Sequence, residues 1–485
     1  MKQDTPIPVT AVFDIGKTNK KFLLFDREYT IIQKQQTTLD QVEDEDGDPC
    51  EDIRQLEYWI RQKLRNAAQN KNIEIASLNF STYGASLVHL DEQGNAIPPL
   101  YNYLKSYPED LLDEFYDSYG DRETFALRTA SPPMGMLNSG LQLYWLKHRR
   151  PGKFGKIERT LHFPQYLSYL ITGERVAEQT SIGCHTALWD FEEGDYHPWL
   201  EQEQMRGLLP PIHPVSTTFP ADAQEASFRT GIGIHDSSAA LAPYLFASDN
   251  PFMLVSTGTW SITLNPFNKE PLTYKELQRD CLCYLDVYGN QVKASRLFLG
   301  NEYMYQTKKL SRHFGLEHRK TAVDLDPELL NTLSREADSG KKLTLETAHE
   351  SGPFPQEKAE NWQVDQFASY EEAYHQLMLD LVSIQVASLT LAQGSSEVDK
   401  LIITGGFSQN DFFVTLLASF LPDKKVYTAS VPHASALGAA MVMNKADEEP
   451  HASRIHWEEL LGLTLHRPHE NLNVGRYAWK RSVAP

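Results

Sequence analysis

The chain has 485 residues, 41% hydrophobic and 23% charged, which is ordinary globular chemistry and enough length for two domains. Its 65 acidic against 46 basic residues leave a net charge of −19, which repels phosphate backbones and anionic lipid and argues against nucleic-acid or membrane-surface binding as a main role. No apolar run approaches the roughly 20 residues needed to cross a bilayer. The first residues lack a signal peptide's pattern, and Cys50, Cys184, Cys281 and Cys283 suit neither a disulfide framework nor a complete zinc site, so the cytoplasm is the expected compartment.

In chain order, residues 9–15 are apolar and β-branched, 16–19 form a turn, and 20–26 and 29–35 read as two further strands of a meander. The acidic stretch 40–52 follows. Its Asp44, Asp46 and Asp48 alternate as in a calcium loop, but the glycine and closing glutamate of that motif are not at the required offsets, so a solvated loop is expected. Residues 53–68 carry Ile53, Leu56, Trp59, Ile60 and Leu64 at helical spacing, with a basic end that suits the helix dipole. A strand at 75–80 runs into Ser81–Ser86 and a further strand through Leu90; helices are expected to dominate 137–173, and 210–220 reads as a proline-rich connector. The halves 1–243 and 244–485 are the expected domains.

The second half repeats the first. Residues 252–255 form an apolar strand, Ser256-Thr257-Gly258-Thr259 a polar turn, and 260–264 a returning strand; placing Asp14 over Ser256 also places Gly16 over Gly258. A long helix is expected at 365–391, then a strand at 401–404 ending in Gly405-Gly406-Phe407-Ser408-Gln409-Asn410. A strand-turn-helix follows at 425–443, whose helix is rich in small residues: Ala434, Ala436, Gly438, Ala439 and Ala440.

Polyphosphate is held by backbone N–H groups, hydroxyls and a metal, and glycine lets the backbone come close. No P-loop is present and Gly231-Ile232-Gly233 lacks the third glycine of a dinucleotide fingerprint. The chain offers instead two matching turns, Asp14-Ile15-Gly16-Lys17-Thr18-Asn19 and Ser256–Thr259. Asp236, in Gly233-Ile234-His235-Asp236-Ser237-Ser238, reads in two ways: a helix N-cap or a carboxylate that removes a proton from an attacking hydroxyl. The two are compatible. His235 is either a sugar contact or a packing residue.

Taken together and in order, these segments resemble the FGGY carbohydrate kinases. Asp14–Lys21 is similar to that family's first phosphate motif, Gly233–Ser238 to its stretch carrying the catalytic aspartate, Val255–Ser261 to its second phosphate motif, and Thr404–Asn410 to its adenosine motif. The resemblance implies an α/β protein of two actin-like, ribonuclease-H-type domains with an interdomain active-site cleft, using ATP and Mg²⁺ to phosphorylate a small sugar. It implies Asp236 as base and Asp14 as the carboxylate for Mg²⁺. It also implies phosphate contacts from Gly16, Lys17, Thr18 and Asn19 and from Gly258 and Thr259, and adenosine contacts from Gly405, Gly406 and Asn410. Many relatives carry Ala, Thr or Ser in place of Lys17, which adds a point charge near phosphate or faces solvent.

At the sugar end, Ser81–Ser86 is similar to T-W-G-V-D or T-F-G-V-D of the rhamnulokinase and fuculokinase branch, with Tyr83 as the aromatic, Gly84 kept and Ser86 replacing the aspartate. Tyr83, Gly84, Ser86 and His235 are the expected sugar contacts, with Tyr103, Asn138 and Trp145 as further wall candidates. An L-rhamnulose- or L-fuculose-like ketose, or a related ketose or polyol, is the expected acceptor. A homodimer is left open. The rival reading is an actin-like ATPase that changes conformation without phosphorylating a sugar; a serine hydrolase is disfavoured because no G-x-S-x-G elbow is present.

Overall fold

The protein is represented by a computed structural model that describes residues 5–223, 226–248, 250–316, 323–336, 343, 345–348, 352–353, 363–445 and 457–477. It divides into two units: Met1–Ala247 with Cys283–Asn290 and Pro432–His456, and Ser248–Leu282 with Gln291–Val431 and Trp457–Pro485.

In the first unit the strand Ile7–Ile15 is buried continuously from Val9 to Ile15, as expected of a strand covered on both faces. It pairs antiparallel with Lys20–Phe25 and parallel with Ile73–Thr82. Ile31–Thr37 extends the sheet on one side; Ala226–Gly231 and Thr218–Ala223 extend it on the other, and Ile234–His235 pairs with the end of Ile73–Thr82. Helix Ile53–Ala68 starts where Asp52 accepts from the Arg54 and Gln55 N–H groups, and its stripe Ile53, Leu56, Trp59, Ile60, Leu64 and Ala67 is buried. The helix meets the sheet through Trp59, edge-on to Phe13 at 5.5 Å, with Phe13 stacked on Phe80 at 5.5 Å. Burying each such side chain contributes about 1.5–3 kcal/mol.

Two expectations are corrected here. The acidic stretch is not a solvated loop but a hairpin, Gln41–Glu43 against Pro49–Glu51. Its turn closes around the Lys105 ammonium, which lies 2.8, 2.9 and 2.6 Å from Asp44, Asp46 and Asp48. A lysine fills the place a cation would take, and its side chain is only 5% exposed. The proline-rich connector ends earlier than expected, because Thr218–Ala223 is a strand. Its Pro220 is tolerated since that strand lies at the sheet's edge, where a missing N–H costs no ladder bond.

The second unit repeats the arrangement. Phe252–Thr257 pairs antiparallel with Ser261–Asn265 and parallel with Lys400–Gly405, and Gln291–Leu297, Lys425–Thr428 and Thr464–His466 are further strands of this seven-stranded sheet. Asp14 and Ser256 occupy equivalent places: each is one residue short of its strand's end, paired with Ser81 and with Thr404 in the parallel neighbour. The long helix runs Tyr370–Gln393, later than the expected start, because Ser369 caps it and 364–366 form a separate 3-10 turn. Helix Ala434–Lys445 returns to the first unit and packs on helix Asp236–Ala247. A Cβ at Gly438 would sit 1.8 Å from the Ala239 carbonyl oxygen, so only glycine allows this approach. Among the described residues no helix is long and apolar enough to cross a membrane.

Candidate active site

Asp236 is the first residue of helix Asp236–Ala247, directly after the short strand Ile234–His235. Gly233 makes the preceding turn with φ +85°, and its missing Cβ avoids a 2.5 Å overlap with the Pro164 carbonyl oxygen. His235 is fixed by its backbone N–H, which donates to Thr180 Oγ1 at 3.1 Å. Its Nε2 lies 3.3 Å from Asp236 Oδ1 and 3.5 Å from Cys184 Sγ. Burial lowers the imidazole's pKa to about 4, so His235 is neutral at physiological pH.

Asp236 moves the other way. Desolvation by the surrounding protein, with the Asp14 charge adding to it and Ser237 and Lys21 opposing, pushes its carboxyl up to about 7. One edge still meets solvent, with 35% of the side chain exposed. The carboxylate is therefore crowded but reachable, which is what a general base needs.

Asp14 is buried. Its Oδ2 receives the Lys21 ammonium at 2.9 Å and its Oδ1 the Ser435 hydroxyl at 3.0 Å. The turn after it is tied by Gly16 N–H donating to the Asn19 carbonyl at 3.0 Å. Lys20 braces it from beneath, donating to the Gly16 and Lys17 carbonyls at 3.2 and 2.9 Å and pairing with Glu51 at 2.9 Å. Thr18 and Asn19 are exposed, with Asn19 Oδ1 accepting from Gln36. Lys21, Ser435, Lys20 and Glu51 are the residues that sequence reasoning assigned no role. Only Lys20 and Lys21, inside the phosphate-like motif, carried any signal.

The sugar-end segment reaches His235, the residue before Asp236, at Gly84. Tyr83 packs on Phe163 at 5.2 Å and Tyr103 at 5.9 Å. Gly84 lies so near His235 that a Cβ would stand 2.9 Å from Nε2. Tyr83 Oη, Ser86 Oγ and His235 Nδ1 are buried with no close hydrogen bond, the Tyr83 hydroxyl facing Ser86 and Glu51, an arrangement that a polar ligand would complete. Asn138 and Trp145 are occupied elsewhere. Asn138 bonds to the Met134 N–H and the His185 carbonyl, and Trp145 packs on Tyr101.

In the second unit Gly258 closes its turn by donating to the Trp260 carbonyl at 2.8 Å, and Gly258 and Thr259 are exposed. Gly405 has φ +86°, and a Cβ there would overlap the Thr257 carbonyl oxygen at 1.8 Å. Thr257 Oγ1 joins the two loops, donating to the Thr404 carbonyl and accepting from Phe407 N–H at 3.0 Å. Gly406 is exposed with open space about it. Phe407 turns inward onto Phe413 at 4.5 Å, so it interrupts the glycine run to fill the core. Asn410 caps helix Asp411–Phe420 by accepting from Phe413 N–H at 3.0 Å.

Magnesium asks for one or two carboxylates, with water and phosphate completing its shell. Asp14, with Asp236 close enough to act on it electrostatically, fits that demand. Among the described residues no group of three or more His, Cys, Asp or Glu side chains could hold a metal without phosphate.

Two units, each with a central strand flanked by a hairpin partner and a parallel neighbour and ending in a glycine turn, define an actin-like, ribonuclease-H-type α/β protein. A carbohydrate kinase from Novosphingobium aromaticivorans superposes with a TM-score of 0.77 at 25% identity, covering 95% of this chain and 96% of that one. A xylulose kinase from Lactobacillus acidophilus superposes at 0.78 with 13% identity, covering 96% and 94%. Residues 9–235 match the N-terminal domain of the FGGY family of carbohydrate kinases, and 249–451 match the carbohydrate kinase FGGY C-terminal domain. The chain belongs to the FGGY family of carbohydrate kinases. Rhamnulokinases from Halalkalibacterium halodurans and Yersinia pestis are 24% identical over 260 residues and 26% over 245. Those matches cover 51% and 49% of this chain, and the chain spans about half the length of the curated relatives it matches, 52% and 49%.

Proposed function

We propose that the protein transfers the γ-phosphoryl group of ATP to a hydroxyl of a small sugar, with Asp236 as general base. The observation that carries this is the Asp236 carboxylate itself: at a helix start, raised to about 7, and 3.3 Å from His235, whose Nδ1 is buried without a partner. The sugar oxygen forms a bond to the γ-phosphorus, the bond from that phosphorus to the β–γ bridging oxygen breaks, and ADP leaves. The hydroxyl proton passes to Asp236. A base near pH 7 is matched to taking a proton as transfer proceeds.

Bound Mg²⁺ neutralises phosphate charge, and Asp14 is the residue to hold it, directly or through water. Lys21 and Ser435 keep the Asp14 carboxylate oriented. Gly16, the Lys17 backbone, Thr18 and Asn19 are proposed for phosphate in the first unit, and Gly258 and Thr259 in the second, with Gly405, Gly406 and Asn410 for adenosine. The rhamnulokinase relatives and the Tyr83-Gly84 pair favour a ketose of the L-rhamnulose or L-fuculose size. Release of ADP from Mg²⁺-ATP by the full chain, measured with and without ketoses, tests the reading; ADP release that ignores every sugar would return it to an actin-like ATPase.

A further inference from the structure

The Lys17 side chain turns toward the sugar end. Its ammonium lies 5.4 Å from the Tyr83 ring centroid and 5.2 Å from that of Tyr103. Only 23% of the side chain is exposed, and the Glu51 carboxylate stands 3.8 Å away. Glu51 is already engaged by Lys20, at 3.1 Å on one oxygen and 2.9 Å on the other. Among the described residues the Lys17 ammonium donates no hydrogen bond.

An ammonium has three donors and no acceptor, and drawing it from water without one is costly. Burial lowers its pKa, with Glu51 opposing and Lys20 adding to the fall. Two lysines against one glutamate leave this corner with an excess positive charge. Beside it the Tyr83 hydroxyl, which faces Ser86 and Glu51, and the Ser86 hydroxyl are buried with no close hydrogen bond. Tyr103, whose ring carries the ammonium, has its own pKa raised by burial first and then by the Asp236 and Glu51 charges. One side chain thus borders both the unmatched cation and the surroundings of the base.

We propose that the acceptor is a sugar acid, whose carboxylate binds the Lys17 ammonium while a hydroxyl on another carbon reaches Asp236. This rests on the kinase reading and narrows it: the molecule keeps the ketose frame and carries a carboxylate where a 6-deoxy ketose has its methyl group. The carboxylate accepts from Lys17 and from the Tyr83 and Ser86 hydroxyls, and charge-assisted bonds of this kind are the strong ones. A neutral sugar leaves the excess charge unmatched.

The test compares the ketose acids D-fructuronate and D-tagaturonate with L-rhamnulose and L-fuculose as acceptors for the full chain, by ADP release with Mg²⁺-ATP. The expected result is a higher kcat/KM on an acid than on either neutral ketose. Lys17→Met should lower that preference about 10- to 100-fold, the size of a hydrogen bond to a charged group, mainly through KM. Lys17→Arg, which keeps the charge, should retain most of it. Preference for a neutral ketose, or an acid preference that survives Lys17→Met, overturns the sugar-acid inference and leaves the kinase reading standing. No sugar-dependent ADP release with either class overturns this inference, and ADP release that also ignores glycerol and D-xylulose overturns the kinase reading.

Discussion

Replacing Asp236 with Asn should yield a protein that is more stable at high pH and nearly inactive. The folded carboxyl titrates near 7 rather than at its ordinary value of 3.8. The native state therefore binds this proton more tightly than the unfolded chain, and native stability falls as pH rises from about 4 to about 7. Above 7 the ionised carboxylate carries the whole penalty. A shift of about three units has an upper limit near 4 kcal/mol, and with 35% of the side chain exposed the effective cost is about 1–2 kcal/mol. Asn keeps the helix-start geometry and removes that cost, so its melting temperature should exceed wild type at pH 8 and match it at pH 4. Turnover should fall about 10²–10⁴-fold, the usual worth of a general base. Wild-type kcat/KM should rise with pH through about 7 as the carboxylate ionises. The assay pairs ADP release across pH 5.5–8.5 with thermal melts at both ends. Wild-type turnover by the Asn protein, or a melting temperature lowered at pH 8, would refute the reasoning.

Asp14→Ala should damage Mg²⁺-dependent turnover far more than sugar binding, because it removes the carboxylate that Lys21 and Ser435 orient; a Mg²⁺ titration of activity matching wild type would contradict this. Gly84→Ala should raise KM for the sugar while leaving ATP binding intact, since the added Cβ presses on His235 at 2.9 Å, and steady-state kinetics on both substrates decides it. Gly438→Ala should cost about 2 kcal/mol or more in a denaturant melt, because its Cβ meets the Ala239 backbone at 1.8 Å. Turnover should drop as well, since the displaced partner is the helix that begins at Asp236.

Local signals read well from the sequence. The apolar, β-branched run at Val9–Ile15 and the helical pattern at Ile53–Ala68 fall where the sheet and its covering helix lie, and the Asp14–Ser256 correspondence reappears as equivalent strand positions. Asp236 was legible at a helix start because an alanine-leucine run follows it; it lies inside that helix as its first residue and not before it as a cap. What escaped was carried by contacts between distant segments. Lys105 lies 57 residues beyond Asp48 and turns an apparent solvated loop into a closed one. Ser435 reaches Asp14 across 421 residues, and nothing near either residue announces it. Lys17 read as a phosphate ligand or a solvated charge because a turn lysine carries no mark of direction; two rings, Tyr83 and Tyr103, from elsewhere in the chain border it. Phe407 follows the Gly405-Gly406 pair within the adenosine-like motif, and its inward packing on Phe413 gives it a core role that the motif does not announce.

The central claim is sugar-dependent phosphoryl transfer, and the most direct test follows ADP and phosphorylated sugar together with the purified full chain, Mg²⁺-ATP and a panel of six-carbon ketoses, glycerol and D-xylulose. The expected result is one phosphorylated sugar for each ADP, a six-carbon ketose frame outperforming glycerol and D-xylulose in kcat/KM, and loss of both products in the Asp236→Asn protein. ADP formed without phosphorylated sugar, at a rate indifferent to every acceptor and to Asp236, would contradict it.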